Sequence, residues 1–330
     1  MAHLYHKIEQ LWWSKREPPL LLRLIEPIYS AISNRHLQQR AANPVSSPRP
    51  VISVGNITAG GSGKTPFVLW LAKALQKHGF KPVIICRGDG GKNNCSPRIV
   101  EHHMSALEVG DEARMLANLA TSPVVVGADR IAATVLAKEL GDIIILDDGF
   151  QYRHLTRVCD IVLIPAEGIG NGHRIPAGPL REPVTALARA DLIVRTGSRK
   201  NVQQCARLSQ TKEWHWFSET GGLTDVMGNG TVLPTHVFAT TAIARPERFI
   251  NSLTESGLIV SGYSFFPDHH QFTAQEVDRL LVEDSVVVTD KDAVKLKPFW
   301  PEERPLWVLT LRGSGEAGLI EAIVEKLSRS

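Results

Sequence analysis

At 330 residues, with 43% hydrophobic and 22% charged positions, the chain has length for about two domains and the composition of a packed globular protein. Disorder, collagen-like repeats and coiled coil are excluded as the main state, and a core this large needs no disulfide or zinc staple. The net charge of +3 is too small to mark a nucleic-acid binder.

The whole of that excess lies in residues 1–40, where Lys7, Lys15, Arg16, Arg23, Arg35 and Arg40 outnumber Glu9, Glu17 and Glu26. The same segment has no signal-peptide pattern and no run near the roughly 20 apolar residues that a spanning helix needs. Leu21, Leu24, Ile25, Ile28 and Ile32 recur at three- and four-residue spacing, which predicts an amphipathic helix that Pro27 kinks or ends near Glu26. Trp12 and Trp13, beside Lys15 and Arg16, are suited to a headgroup layer, so the segment reads as peripheral membrane contact or as a helix packed on the protein's own core.

Residues 51–78 carry the strongest signal. A short apolar strand (Val51–Val54) runs into the turn Gly55-Asn56-Ile57-Thr58-Ala59-Gly60-Gly61-Ser62-Gly63-Lys64-Thr65, and a helix follows from Pro66 to His78. That is the strand–loop–helix context of a Walker A loop. Its glycines let backbone N–H groups surround phosphate oxygens, Lys64 reaches the outer phosphates, and the Thr65 hydroxyl suits Mg²⁺. Thr58 stands where the usual pattern has its first glycine, so residues 58–65 form a variant loop. ATP or GTP with magnesium is the implied ligand.

Continuous apolar strands follow at Val83–Ile85, Val124–Val126, Ile143–Leu146 and Ile161–Ile164, separated by helical stretches. Unbroken rather than alternating runs predict an α/β fold whose parallel sheet is covered on both faces. The third run ends in Asp147-Asp148, the Walker B pattern, in which one carboxylate holds the metal. Cys86, Cys95, Cys159 and Cys205 are scattered, with no CxxC pair, and read as small buried hydrophobes in a reducing compartment.

Further motifs narrow the choice among switches, motors and kinases. They are Gly110-Asp111-Glu112-Ala113 at a predicted strand-to-helix junction, Asp147–Gln151, the rigid loop Pro176-Ala177-Gly178-Pro179-Leu180-Arg181-Glu182-Pro183, Ala244–Phe249, Asp268-His269-His270, and Thr289–Leu296 after the strand Val286–Val288. Arg130, Arg181 and Glu182 are candidates for an anionic, hydroxylated acceptor, since Arg binds phosphate in bidentate fashion. From these residues alone a membrane-linked P-loop ATPase switch without an acceptor, or a soluble small-molecule kinase, stays open.

In their joint order, GNITAGGSGKTP, GDEA, DDGFQ, PAGPLREP, ARPERF, DHHQF and TDKDAVKL resemble the tetraacyldisaccharide 4'-kinase family, from the Trp-rich N-terminus to about residue 297. Asp89, Tyr152 and Asp290 depart from the family pattern, which has Tyr, His and Glu there. The resemblance implies ATP-dependent phosphorylation of the 4'-hydroxyl of an acylated glucosamine disaccharide 1-phosphate on the cytoplasmic face of the inner membrane, with no obligate protein partner. It also implies a P-loop core (residues 41–200) with a smaller C-terminal α/β lobe (201–330) after the interfacial segment (1–40). An Asp–His pair carried onto Asp111 and either His269 or His270 would take the hydroxyl proton, and Asp147 and Asp148 would divide metal binding and orientation between them.

Overall fold

A computed structural model describes residues 2–14, 16–92, 96–203, 207–208, 212–230 and 232–329, with side chains from residue 8 onward. The readings placed on Lys7, Lys15, Cys95 and Cys205 lie outside the described side chains. Twelve strands are described: β1 (Val51–Asn56), β2 (Pro82–Cys86), β3 (Arg98–Ile99), β4 (Val124–Val126), β5 (Ile143–Asp147), β6 (Cys159–Pro165), β7 (Leu192–Gly197), β8 (Glu213–Asp225), β9 (His236–Thr241), β10 (Ile259–Phe265), β11 (Val286–Val288) and β12 (Trp307–Gly315). They form one sheet in the order β10-β9-β11-β12-β8-β7-β6-β1-β5-β2-β4-β3. Only the β3–β4 and β8–β12 pairings are antiparallel.

The predicted apolar runs are the central strands, and their burial shows why they do not alternate. Ile52 and Val54 of β1 pack on one face with Phe67, Leu71 and Leu116, whereas Val51 packs on the other with Ala133 and Ala137. Successive side chains point to opposite faces, and helices cover both, so positions on either face are mostly apolar. The second half of the sheet repeats the arrangement, with Val286, Val288 and Val308 in one cluster and Val287, Trp307 and Leu309 in another. β8 and β12 form a long antiparallel ribbon between the halves, and the last helix, Leu319–Ser328, returns to bury Leu319 and Ile323 with the β1-centred core.

Three local expectations are altered. Pro27 does not end a helix, because Leu20–Ala42 is helical throughout with Pro27 inside it. Gly110 joins two helices, Ala106–Val109 and Asp111–Leu119, rather than a strand and a helix: a Ser105/Glu108 capping box forms one extra turn, and Gly110 at φ +91° starts the next. Trp12 and Trp13 are committed to the protein itself. Trp12 Nε1 donates to the Pro176 carbonyl (2.9 Å), and the Trp13 ring lies over the Arg245 guanidinium (3.4 Å).

The helix Leu20–Ala42 is tied down along one face only. Glu26 accepts from the Arg174 backbone N–H (2.8 Å) and pairs with His173 (2.9 Å), and Leu37 is buried. The apolar stripe lies on the opposite side: Leu20, Leu21, Leu24, Ile25, Ile28 and Ile32 are 41–69% exposed. A helix packing on its own core would have buried them. No helix among the described residues is long and apolar enough to cross a membrane.

Candidate active site

The phosphate loop leaves the carboxyl end of β1, the central strand, and the helix Lys64–Lys77 begins at its far side. Gly60 and Gly63 adopt φ +82° and +76°, a region that L side chains avoid, which explains glycine at both. The loop is braced internally: Asn56 Nδ2 donates to Ser62 Oγ (2.8 Å), and Thr196 Oγ1 donates to the Ser62 carbonyl (2.7 Å). Lys64 Nζ lies 3.3 Å from Asn56 Oδ1 and 3.3 Å from Asp148 Oδ1.

The Pro/Gly loop lies alongside. Ala59 N–H donates to the Pro179 carbonyl (2.6 Å), Arg181 N–H donates to the Ile57 carbonyl (2.8 Å), and Thr58 bridges Leu180. This pairing carries the Arg181 guanidinium to Asp148, at 2.9 and 3.1 Å from its two oxygens. Burial acts to raise the Asp148 pKa, but Lys64 and Arg181 outweigh it and hold the carboxyl well below the usual range.

Asp147 is the opposite case. It is buried, its Oδ1 has no hydrogen-bond partner among the described residues, and burial together with the charge of Glu112 raises its pKa to about 7. An orphaned buried carboxylate oxygen beside Lys64 and Asp148 fits a divalent cation, whose charge would restore the ionised form. Asp147 and Thr65 would hold that cation. The glycine-rich loop and Lys64 fit the phosphates it accompanies.

Helix Asp111–Leu119 packs against helix Asp290–Leu296 of the second half. His269 Nδ1 lies 3.0 and 3.1 Å from the two carboxylate oxygens of buried Asp111, so His269 is the partner that the sequence left undecided. His270 belongs elsewhere: its Nε2 meets Glu276 (3.0 Å) in the cap of helix Ala274–Leu280, and its ring stacks on Phe266. Burial acts to raise the Asp111 pKa, but the His269 hydrogen bond, Lys291 and Lys295 lower it overall. The same hydrogen bond raises the His269 pKa, against burial and the charge of Lys291.

Glu112 is what sequence reasoning passed over, and Lys291, a phosphate-neutralising or helix-capping candidate within Thr289–Leu296, is placed by the fold at the Asp–His pair. Lys291 Nζ sits 2.8 Å from Asp268, 3.5 Å from Glu112 and 3.3 Å from His269 Nε2. Glu112 also acts electrostatically on Asp147 and Arg181, so it links the Asp–His pair to the phosphate loop. Its place directly after Asp111 in Gly110-Asp111-Glu112-Ala113 was the available signal.

Two candidates for acceptor recognition turn inward. Arg130 is buried and donates to the Gly127 and Asp147 carbonyls (2.7 and 3.4 Å), bracing the end of β5. Glu182 is buried between Arg189 (2.8 Å) and Gln151 (3.0 Å). Among the described residues, Asp148 and His269 alone of the non-glycine residues have left-handed backbone, at φ +52° and +62°. Such backbone is held in place at sites where side chains must be aimed.

A Walker loop, a paired carboxylate strand end and a facing Asp–His–Lys set on a mostly parallel sheet define a P-loop phosphotransferase. The family model for tetraacyldisaccharide-1-P 4'-kinase matches residues 19–328. Tetraacyldisaccharide 4'-kinases from Alcanivorax borkumensis (34% identity, covering 99% of this chain and 98% of that one) and Dechloromonas aromatica (35%, 97% and 97%) are similar along nearly their whole length. The crystal structure of LpxK from Aquifex aeolicus in complex with ATP is similar in fold, with a TM-score of 0.74 at 29% identity, covering 92% of this chain and 97% of that one. The chain belongs to the tetraacyldisaccharide 4'-kinase family.

Proposed function

We propose that the Asp111–His269 pair takes the proton of the sugar hydroxyl that the phosphate loop phosphorylates. As a member of its family the chain is an ATP- and Mg²⁺-dependent kinase of lipid A biosynthesis. It phosphorylates the 4'-hydroxyl of tetraacyldisaccharide 1-phosphate to give the bisphosphorylated precursor, lipid IVA. A switch-type ATPase has no use for a buried Asp–His pair facing its phosphate loop, and that juxtaposition is the observation that carries the reading.

The roles follow from the contacts. His269 Nδ1–H is committed to Asp111, which fixes the ring, so Nε2 is the nitrogen left to receive the proton. Lys291 beside Nε2 opposes protonation of the resting ring and keeps a lone pair available. Lys64 and Arg181, gathered on Asp148, are positioned to meet the charge spread over the transferring phosphoryl. When bound, Mg²⁺ neutralises charge on the phosphate oxygens, with Thr65 and Asp147 as its protein ligands. Arg130 and Glu182 act by bracing Asp147 and Arg189, and Arg181 is left as the arginine open to an anionic acceptor.

Membrane attachment is peripheral, through the exposed face Leu20–Ile32 on the cytoplasmic side of the inner membrane, with no nucleic-acid or obligate protein partner. A contiguous apolar face of this kind supports an interfacial role. Residues 41–200 and 201–330 act as two lobes; Val286, Val288 and Val308 of the second are buried in a cluster of their own, while Trp216, Leu319 and Ile323 join the core of the first.

The test is the position of the new phosphate. ³¹P and ¹H NMR of the lipid product formed from ATP–Mg²⁺ should show a phosphomonoester coupled to the 4'-carbon proton. A product phosphorylated elsewhere, or none, overturns the assignment.

A further inference from the structure

The first helix, Ala2–Trp13, ends with Trp12 on the Pro176 carbonyl and Trp13 on Arg245, and polar groups gather there that the mechanism does not use. Trp13 Nε1 and Arg245 Nε and Nη2 are buried N–H donors, and among the described residues none has an acceptor. All three belong to one stacked pair, with the guanidinium 3.4 Å from the indole ring centre. The Arg245 side chain is 10% exposed, and its remaining nitrogen, Nη1, lies 3.6 Å from Glu167. Buried donors left without acceptors are costly and rare, and three together mark a place shaped for a ligand that accepts.

The surroundings say which ligand. A methyl group placed on Gly60 of the phosphate loop would stand 3.7 Å from Ala244 Cβ and 3.7 Å from Glu9 Oε1, and Arg248 donates to the Gly61 carbonyl (2.5 Å). Ala244-Arg245 is thus delivered directly onto the outer turn of the phosphate loop, and helix Pro246–Glu255 begins at the next residue. Glu9, Glu167 and Glu247 face Arg245. Arg248 engages both oxygens of Glu167 through Nε and Nη2, and burial raises Glu9 to a pKa of about 7, so the local negative charge is incomplete. A guanidinium with two free N–H groups, a third donor stacked beside it and the phosphate loop adjacent match an anionic oxygen cluster.

We propose that Trp13 and Arg245 form a second wall of the nucleotide site, binding the phosphate tail of ATP opposite the glycine-rich loop. The first helix then belongs to the nucleotide site and the following helix to the membrane. The proposal rests on the reading of the chain as an ATP-dependent kinase.

The test uses the full chain with Arg245→Met and with Trp13→Phe, which keeps the ring and removes only the N–H. At saturating lipid, the KM for ATP should rise about tenfold in Arg245→Met and severalfold in Trp13→Phe, with the lipid KM unchanged. Calorimetric titration should show weaker binding of ADP and unaltered binding of adenosine in both variants. Equal losses for ADP and adenosine would move the contact to the nucleoside and overturn the proposal, as would ATP KM values equal to the parent's. Should Arg245→Met fail to fold, Trp13→Phe alone decides. Failure of the kinase reading would appear instead in the parent protein, as absence of ATP binding.

Discussion

Replacing Leu21, Leu24 and Ile28 together by Gln isolates the membrane face from the rest of the molecule. These side chains are 67%, 63% and 62% exposed, so about two-thirds of the roughly 1.5–3 kcal/mol that burial of a Leu or Ile contributes is still available to a lipid surface. For three side chains that is about 3–6 kcal/mol, and half-immersion at the headgroup boundary leaves about 1.5–3 kcal/mol. Partitioning onto vesicles should therefore weaken roughly 12- to 140-fold. Gln keeps helix propensity, and exposed substitutions cost little, so Tm should move by no more than a few degrees. The assay is sedimentation with vesicles containing anionic lipid, run beside thermal unfolding. Unchanged partitioning would refute the reasoning, and a large fall in Tm with weakened binding would show the stripe to be a packing face.

Lys64→Ala should lower kcat by on the order of 10² or more, read by label transfer at saturating ATP, because it removes a charge aimed at the transferring group. The Asp111 hydrogen bond raises the His269 pKa above its ordinary value of 6.5, and the ring must be neutral to accept a proton. Hence kcat/KM should rise with pH through that raised pKa, and Asp111→Asn, besides lowering the rate, should move the acid limb to lower pH; a limb that stays in place removes His269 from the role. Asp147, with a pKa near 7, must be ionised to hold a cation. Apparent affinity for Mg²⁺ should climb as pH rises through about 7 and flatten in Asp147→Asn, measured by magnesium titration of activity at constant ATP.

Residues that act through backbone geometry within one local stretch were legible from the sequence. The apolar runs before Gly55 and Asp147 gave strands, and the glycines of the loop required the turn that forms. What was hidden depends on contacts between distant segments. The choice of His269 over His270 is made by the cap at Thr273–Glu276, which captures His270, and by the approach of the turn at His269 to the helix start at Asp111, 158 residues away in sequence. Trp12 and Trp13 beside basic residues looked interfacial, yet Pro176 and Arg245, far along the chain, take them up. Arg130 looked like an anion ligand because its burial beneath Asp147 has no local signature.

The central claim is that phosphate goes from ATP to a lipid hydroxyl and not to water. Enzyme, γ-labelled ATP–Mg²⁺ and tetraacyldisaccharide 1-phosphate in mixed micelles should give label in the lipid fraction at a rate well above label released as phosphate, with both lost in Lys64→Ala. Label released to water with none in the lipid would contradict the account and leave a phosphate loop that hydrolyses without an acceptor.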